Sequence, residues 1–490
     1  MATANDLNIS GWTVQSSTPL RDGSFPASVR TESSSYAPSA TARIIYVDST
    51  LGNDGTGAPT NLAAQPDPFI PDGNELPYQS ISAASSQLRS GEGDWILFKR
   101  GESFAGSLGL AASTDGSSAV LPTLIGYYGS TGDRPVISNG AGTVANVTSG
   151  SANYITFYGL KIYCAERDPD NVGFVLGNES SGAYGIRYVG SGGGSDIVVD
   201  DCDISYFKDG IVIQTTGTAY QNITVKNSII HDQLYDLSSG YSSGIFLSGV
   251  EGSIRVNDNF WYHNGWHENG SLSGCHRHQY NHNVYFQHNN NGADADFKRN
   301  VSLEGASHGC QGRMGGTYED NLYARCAVGY SKAGVDVPFD NGVTGISLKQ
   351  VIIEGMRMDA TDPQNAGTTT AVYGVYIVGY TEDNGGEAVV QDTIVANRLE
   401  SGTNVGITQQ GFATYTNNIV FNWNATEDAP DTFTDASRNV DSYMVSEGLG
   451  TTYDDFVSWH LARPTGTTHG LYSAPNVNDY IREGFDLVVS

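Results

Sequence analysis

Seven of the chain's ten histidines fall between residues 263 and 308: His263, His267, His276, His278, His282, His288 and His308. Arg313 follows them in the stretch SHGCQGRMGG. Neutral imidazole accepts and returns protons near neutral pH, while a guanidinium stays charged and meets carboxylates with a planar fork of donors. An imidazole set beside a permanent cation therefore suits proton transfer on an anionic substrate. Trp261, Tyr262, Trp266, Tyr280 and Tyr285 lie among the histidines and add aromatic faces and phenol protons. His276, His278 and His282 are spaced closely enough to invite a metal, yet no Cys, Asp or Glu set completes a tetrahedral zinc pattern.

The cluster is an exception in an acidic chain. The 490 residues carry 25 Lys+Arg against 53 Asp+Glu, a net charge of −28, whereas 261–330 holds five against six. A surface this acidic repels nucleic acid and anionic membranes, so neither is expected as a partner. No apolar run approaches the ~20 residues of a membrane span. The opening MATANDLNIS shows neither a basic nor an apolar signal region. The five cysteines are odd in number and scattered, which fits buried free thiols rather than a disulfide framework.

Something must hold these side chains in line, and the sequence contains a repeat able to do it. DIVVDDCDI (196–204), NITVKNSII (222–230) and SIRVNDNFW (253–261) superimpose, and FKRNVSL, YEDNLY and YTNNIV are further copies. A second motif, glycine or asparagine followed by alternating apolar residues, starts at 210, 244, 283, 309, 374 and 406. Irregular spacing of about one coil plus loops predicts a solenoid: an all-β, right-handed parallel β-helix with short capping helices. The recurring Asn/Asp predicts a ladder of turn side chains from coil to coil. The expected organisation is an N-terminal arm over 1–43, the β-helix over 44–424, and a C-terminal cap over 425–490. Within that cap, TTYDDFVSWHLARP gives a helix near 451–463 stopped by Pro464. Aligning Asn283 with Gly309 pairs His282 with His308, Tyr285 with Gln311 and Gln287 with Arg313, with His288 one position out of register. Alternation puts Tyr285, Gln287, Gln311 and Arg313 outward and Val284, Phe286, Cys310 and Gly312 inward. The small residues around Arg313 are then expected to leave room for a polymer to reach the guanidinium.

SHGCQGRMGGTYEDNLYARC resembles the arginine-bearing coil of the chondroitinase B and alginate lyase family. YVDSTLGNDGTG…GDWILFKRGESF is similar to the first coil of many right-handed β-helix enzymes acting on polysaccharides. The resemblance implies that Arg313 is catalytic near the leaving oxygen, and it brings a lysine base one coil upstream and a calcium ion on the uronate carboxylate. The matching segment here, NVYFQHNN, has no lysine, so His288 or Tyr285 takes the base's place, with His282 and His308 beside them. Trp261, Trp266, Lys298, Gln311 and Gln287 are the expected substrate-binding residues.

The chemistry these residues suit is β-elimination on an acidic, uronate-type extracellular polysaccharide, in which the carboxylate must be neutralised as the C5 proton leaves. The alternative enzyme is a glycoside hydrolase using two of Asp294, Asp296 and Glu304; such oxygens would also suit calcium. The alternative outside enzymology is a non-catalytic polysaccharide-binding attachment protein. An arm, few cysteines and a β-helix together resemble a phage tailspike, which implies a homotrimer and an extracellular setting, secreted or virion-associated.

Overall fold

A computed structural model describes residues 41–487, apart from 63–64, 66, 111–113, 120, 148–151, 269–271, 273, 288–289, 291–292, 334–344, 359–370, 379–387, 401–402, 409–412 and 424–431. Nearly all of the expected arm lies outside the described residues. The chain divides into two compact units. One is Met1–Phe207 with Val212–Ser228 and Pro464–Thr468; the other is Lys208–Ile211, Ile229–Arg463 and His469–Ser490.

Each coil of the second unit is built from three strands. Val250–Asn257 leads into the three-residue Phe260–Tyr262, and His282–Phe286 completes the coil. Asp294–Lys298, Val301–Leu303 and His308–Gly312 repeat the plan. Like pairs with like in parallel: Arg255 with Asp296, Trp261 with Ser302, and Tyr285 with Gln311. The same pairing continues to Ala413–Thr416 and Ile419–Phe421. In the first unit, parallel pairs such as Ile44 with Trp95 and Val199 with Val225 follow the same rule. The fold is a parallel β-helix, as the repeat predicts.

The repeated Asn/Asp has two separate jobs. The residue that ends each first strand's turn sits in the left-handed region: Asp258, Arg299, Asp320, Lys349, Asp392 and Asn417 have φ between 49° and 58° in every coil from Asn227 onward. Asn and Asp tolerate that region best, and other L residues adopt it at a cost of about 1–2 kcal/mol. The turn throws the next side chain inward, where Asn259 Nδ2 donates to Asn300 Oδ1 (3.0 Å), Asn300 Nδ2 to Asn321 Oδ1 (3.1 Å), and Asn321 Nδ2 to Gln350 Oε1 (3.1 Å). These amides are fully buried, and the side-chain oxygens of Asn300, Asn321 and Gln350 also accept from the backbone N–H of Asn259, Asn300 and Asn321, which the turn would otherwise orphan.

A second left-handed residue follows each short strand, at Asp232, His263, Glu304, Arg325 and Glu354. Their side chains alternate in charge down the stack. Asp232 accepts from His263 Nδ1 (2.7 Å), and Arg325 pairs with Glu304 (3.4 Å) and Glu354 (2.9 Å). His263 also reaches Glu268 through Nε2 at 2.9 Å.

Among the described residues the C-terminal helices do not close the end of the stack, as a cap would. Val440–Ser446, Tyr453–Leu461 and Ala474–Gly484 share one apolar cluster with the short strands, from Ile229 and Phe260 through Val301, Leu322 and Val351 to Ile394. They cover a flank. His460 stacks on Phe260 at 4.1 Å, His469 Nε2 bonds the Asp258 carbonyl (2.6 Å), and Arg482 pairs with Asp320 (2.7 Å).

Burial alone would push the His263 imidazole down, but its bonds to Asp232 and Glu268 outweigh that and raise it to about 9. A raised folded-state pKa stabilises fully below the unfolded value of about 6.5 and loses that contribution as pH rises through the folded value. His263→Ala should therefore lower the unfolding temperature more at pH 6 than at pH 10, measured by calorimetry at both. An equal loss at the two pH values would remove the ion pair from the corner column.

Candidate active site

Two adjacent strands of the third sheet, His282–Phe286 and His308–Gly312, carry the densest chemistry. Their register places His282 opposite His308 and Tyr285 opposite Gln311, as the repeat alignment expects. Arg313 follows directly, its N–H donating to the Phe286 carbonyl at 2.9 Å. The His282 ring lies edge-on to His308 (4.7 Å between centroids) and to Tyr285 (4.9 Å). Tyr285 donates its phenol proton to Gln287 Oε1 (2.8 Å), and the Arg313 guanidinium stands 5.5 Å from the Tyr285 ring and 3.4 Å from Gln287 Oε1. The structure thus brings together His282, His308, Tyr285, Gln287, Gln311 and Arg313. His288 lies outside the described residues.

Burial dominates the electrostatics. It pushes the His308 imidazole down to about 3, and the Arg313 charge pushes the same way. His282 is driven well below its ordinary value by burial, then by His308 and Arg313. Both rings are therefore neutral across the physiological range, and a neutral ring can accept a proton. His308 keeps 9% of its surface exposed against 1% for His282, which makes it the more reachable of the two.

Other expected site residues have different roles. Trp261 is fully buried and donates Nε1–H to Asn300 Oδ1 (3.3 Å), so it belongs to the amide ladder and meets no sugar. Trp266 bonds the Glu304 carbonyl (2.8 Å), and Arg277 lies over its ring at 4.2 Å, so it is no open platform. Lys298 sits on a different sheet from the imidazole pair, held by Asp296 (3.0 Å) and Glu319 (3.7 Å). Asp296 also pairs with Arg255 (3.3 Å), and Glu304 is the corner partner of Arg325. The structure therefore does not gather these carboxylates around the imidazoles; Asp294 lies on the Lys298 strand, and its side chain is outside the described residues.

The glycines around Arg313 are also explained differently. A Cβ on Gly312 would stand 2.2 Å from the Tyr318 hydroxyl oxygen, and one on Gly309 would meet the Tyr323 ring at 2.5 Å and the Gly329 carbonyl at 2.6 Å. The small residues make room for tyrosines within the coil, not for a polymer outside it. Lys332, opposite Gly312, is fully buried, donates to the Gly316 carbonyl (3.0 Å) and lies 4.7 Å from the Tyr318 ring. Desolvation holds its ammonium well below the usual lysine range.

Sequence reasoning missed two features here. Ser307, buried between the imidazoles, is one; its position just before His308 was the available signal. The other is Tyr241, which forms a surface pair with Tyr280 of the expected aromatic set; the two are 45% and 46% exposed and edge-to-face at 4.9 Å, with His278 stacked on Tyr241 at 5.5 Å. Tyr280 precedes His282 by two residues, and Tyr241 precedes by two the Ser243 that pairs with His282.

No protein-family model matches the chain, and no curated protein does. Among solved structures it is similar to a pectate lyase (15% identity, TM-score 0.39, 84% of this chain and 85% of that one). It is also similar to an alginate lyase from Paenibacillus sp. str. FPU-7 (15%, 0.36, 68% and 97%) and a GH136 lacto-N-biosidase from Eubacterium ramulus (14%, 0.38, 77% and 68%). Likenesses this distant leave substrate and mechanism to the residues themselves.

Gly309→Ala should destabilise the protein by roughly 1–3 kcal/mol through overpacking, read from the midpoint of denaturant unfolding. Unchanged stability would mean that Tyr323 has space to move.

Proposed function

We propose that this chain is a depolymerase of an acidic, uronate-type polysaccharide, cleaving by β-elimination on the His282/His308/Arg313 face. The observation that carries the reading is a pair of neutral imidazoles held beside one permanent cation, in a chain otherwise strongly acidic. Arg313 faces a carboxylate and lowers the cost of negative charge building on it. The C5–H bond breaks and its proton passes to an imidazole nitrogen, that of His308 by its exposure. The electron pair left on C5 forms the C4–C5 double bond as the C4–O bond breaks, and the leaving oxygen takes a proton from the Tyr285 hydroxyl. Carboxylate binding against Arg313 also cancels part of the field that depresses His308, making the base stronger once substrate is in place. Tyr241 and Tyr280 supply the aromatic surface for neighbouring sugar rings, a role Trp261 and Trp266 cannot fill.

Hydrolysis would ask for two carboxyl groups flanking the bond, and Asp296 and Glu304 are already committed to cations. The test is incubation with a panel of acidic polysaccharides while following ultraviolet absorbance and reducing ends together. Wild-type protein should raise both, and Arg313→Ala neither, with unfolding unchanged. New ends without absorbance would replace elimination by hydrolysis; wild-type cleavage by Arg313→Ala would remove that residue from the mechanism.

A further inference from the structure

The Ser307 hydroxyl lies 3.0 Å from His282 Nδ1 and 2.9 Å from His308 Nδ1. It also lies 2.7 Å from the Asn281 carbonyl oxygen and 3.1 Å from that of Gln279. All four partners surround a side chain that is fully buried. A hydroxyl has one proton, and a carbonyl oxygen can only accept. Were the proton given to either imidazole, the hydroxyl and Asn281 oxygens would face each other at 2.7 Å, in a buried site, with no proton between them. The proton therefore goes to the backbone, and the hydroxyl's lone pairs remain as the acceptor for both rings. Each ring must then carry its own proton on Nδ1.

We infer that Ser307 is a positioning residue that fixes both imidazoles as Nδ1–H tautomers, leaving both Nε2 atoms as proton acceptors. Among the described residues neither Nε2 has a hydrogen-bond partner. Nothing is rearranged when a proton arrives, because the Nδ1–H bond to Ser307 serves the neutral ring and the imidazolium alike. The serine is thus a preorganised support of the kind a carboxylate supplies to a catalytic histidine elsewhere, but without a negative charge. A carboxylate in its place would raise the imidazole pKa and hold an anion beside an anionic substrate. The tautomers follow from the geometry alone; their catalytic use rests on the elimination reading above.

The tautomers can be read without any substrate, from the imidazole nitrogen resonances of 15N-histidine-labelled protein at neutral pH, assigned with His282→Gln and His308→Gln variants. Both rings should show protonated Nδ1 and unprotonated Nε2. A protonated Nε2 on either ring in the wild-type protein overturns the inference. In Ser307→Ala at least one ring should move to the Nε2–H form, and kcat should fall by roughly 10² with KM little changed, while Ser307→Thr, which restores the hydroxyl, should recover the Nδ1–H signature. Tautomers unchanged in Ser307→Ala would show that another group sets them and would equally overturn the role. If the tautomers are as inferred but no acidic polysaccharide is cut, the elimination reading fails while the assignment of Ser307 stands.

Discussion

The left-handed turn after each first strand is the constraint on which the stack depends. It costs backbone energy at every coil, at residues as unsuited as Arg299 and Lys349 as well as at Asp and Asn. In return it redirects the chain and sends the following side chain into the interior. The buried amides of Asn259, Asn300, Asn321 and Gln350 then bond to one another and to the N–H groups the turn exposes. A slip of one residue would put an apolar strand residue in the ladder and an amide in the apolar core, so the ladder fixes coil register as well as satisfying polar groups.

Register is what creates the candidate site. The two imidazoles meet because their strands are locked one coil apart, about 4.8 Å, and Arg313 follows the same strand by one residue. The same regularity that builds a featureless core therefore builds a precise outer surface wherever successive coils carry polar residues at equivalent positions. Behind that surface, Tyr318, Tyr323 and Lys332 fill the interior against Gly309 and Gly312, which leaves the strand little freedom to move. The corner column of Asp232, His263, Glu304, Arg325 and Glu354 solves a different problem, matching charge down the stack, and removes His263 from the pool of catalytic candidates.

The β-helix and the pairing of His282 with His308 were legible in the sequence because both follow from periodicity. Repeats of the Asn-apolar and Gly-apolar kind align by inspection, and alignment is register. What periodicity does not carry is the direction in which a side chain points at a turn. Trp261 reads as an aromatic beside histidines, yet its short strand faces the amide ladder. Glycine's smallness is legible, but whether the space it leaves belongs to a ligand or to a tyrosine of the next strands, such as Tyr318 or Tyr323, is not. Of the three C-terminal helices only the one near 451–463, stopped by Pro464, is legible in the sequence, and its docking on the flank depends on an apolar face that would equally suit the end of the stack. Ser307 was hidden for a simpler reason: a serine acquires a role only from the four groups around it.

The most direct test of the account is a crystal structure of His308→Ala with a uronate oligosaccharide bound. The account predicts a sugar carboxylate bonded to the Arg313 guanidinium, the C5 hydrogen facing the space left at residue 308, and a neighbouring ring on Tyr241 and Tyr280. An oligosaccharide bound elsewhere, with Arg313 untouched, would contradict it.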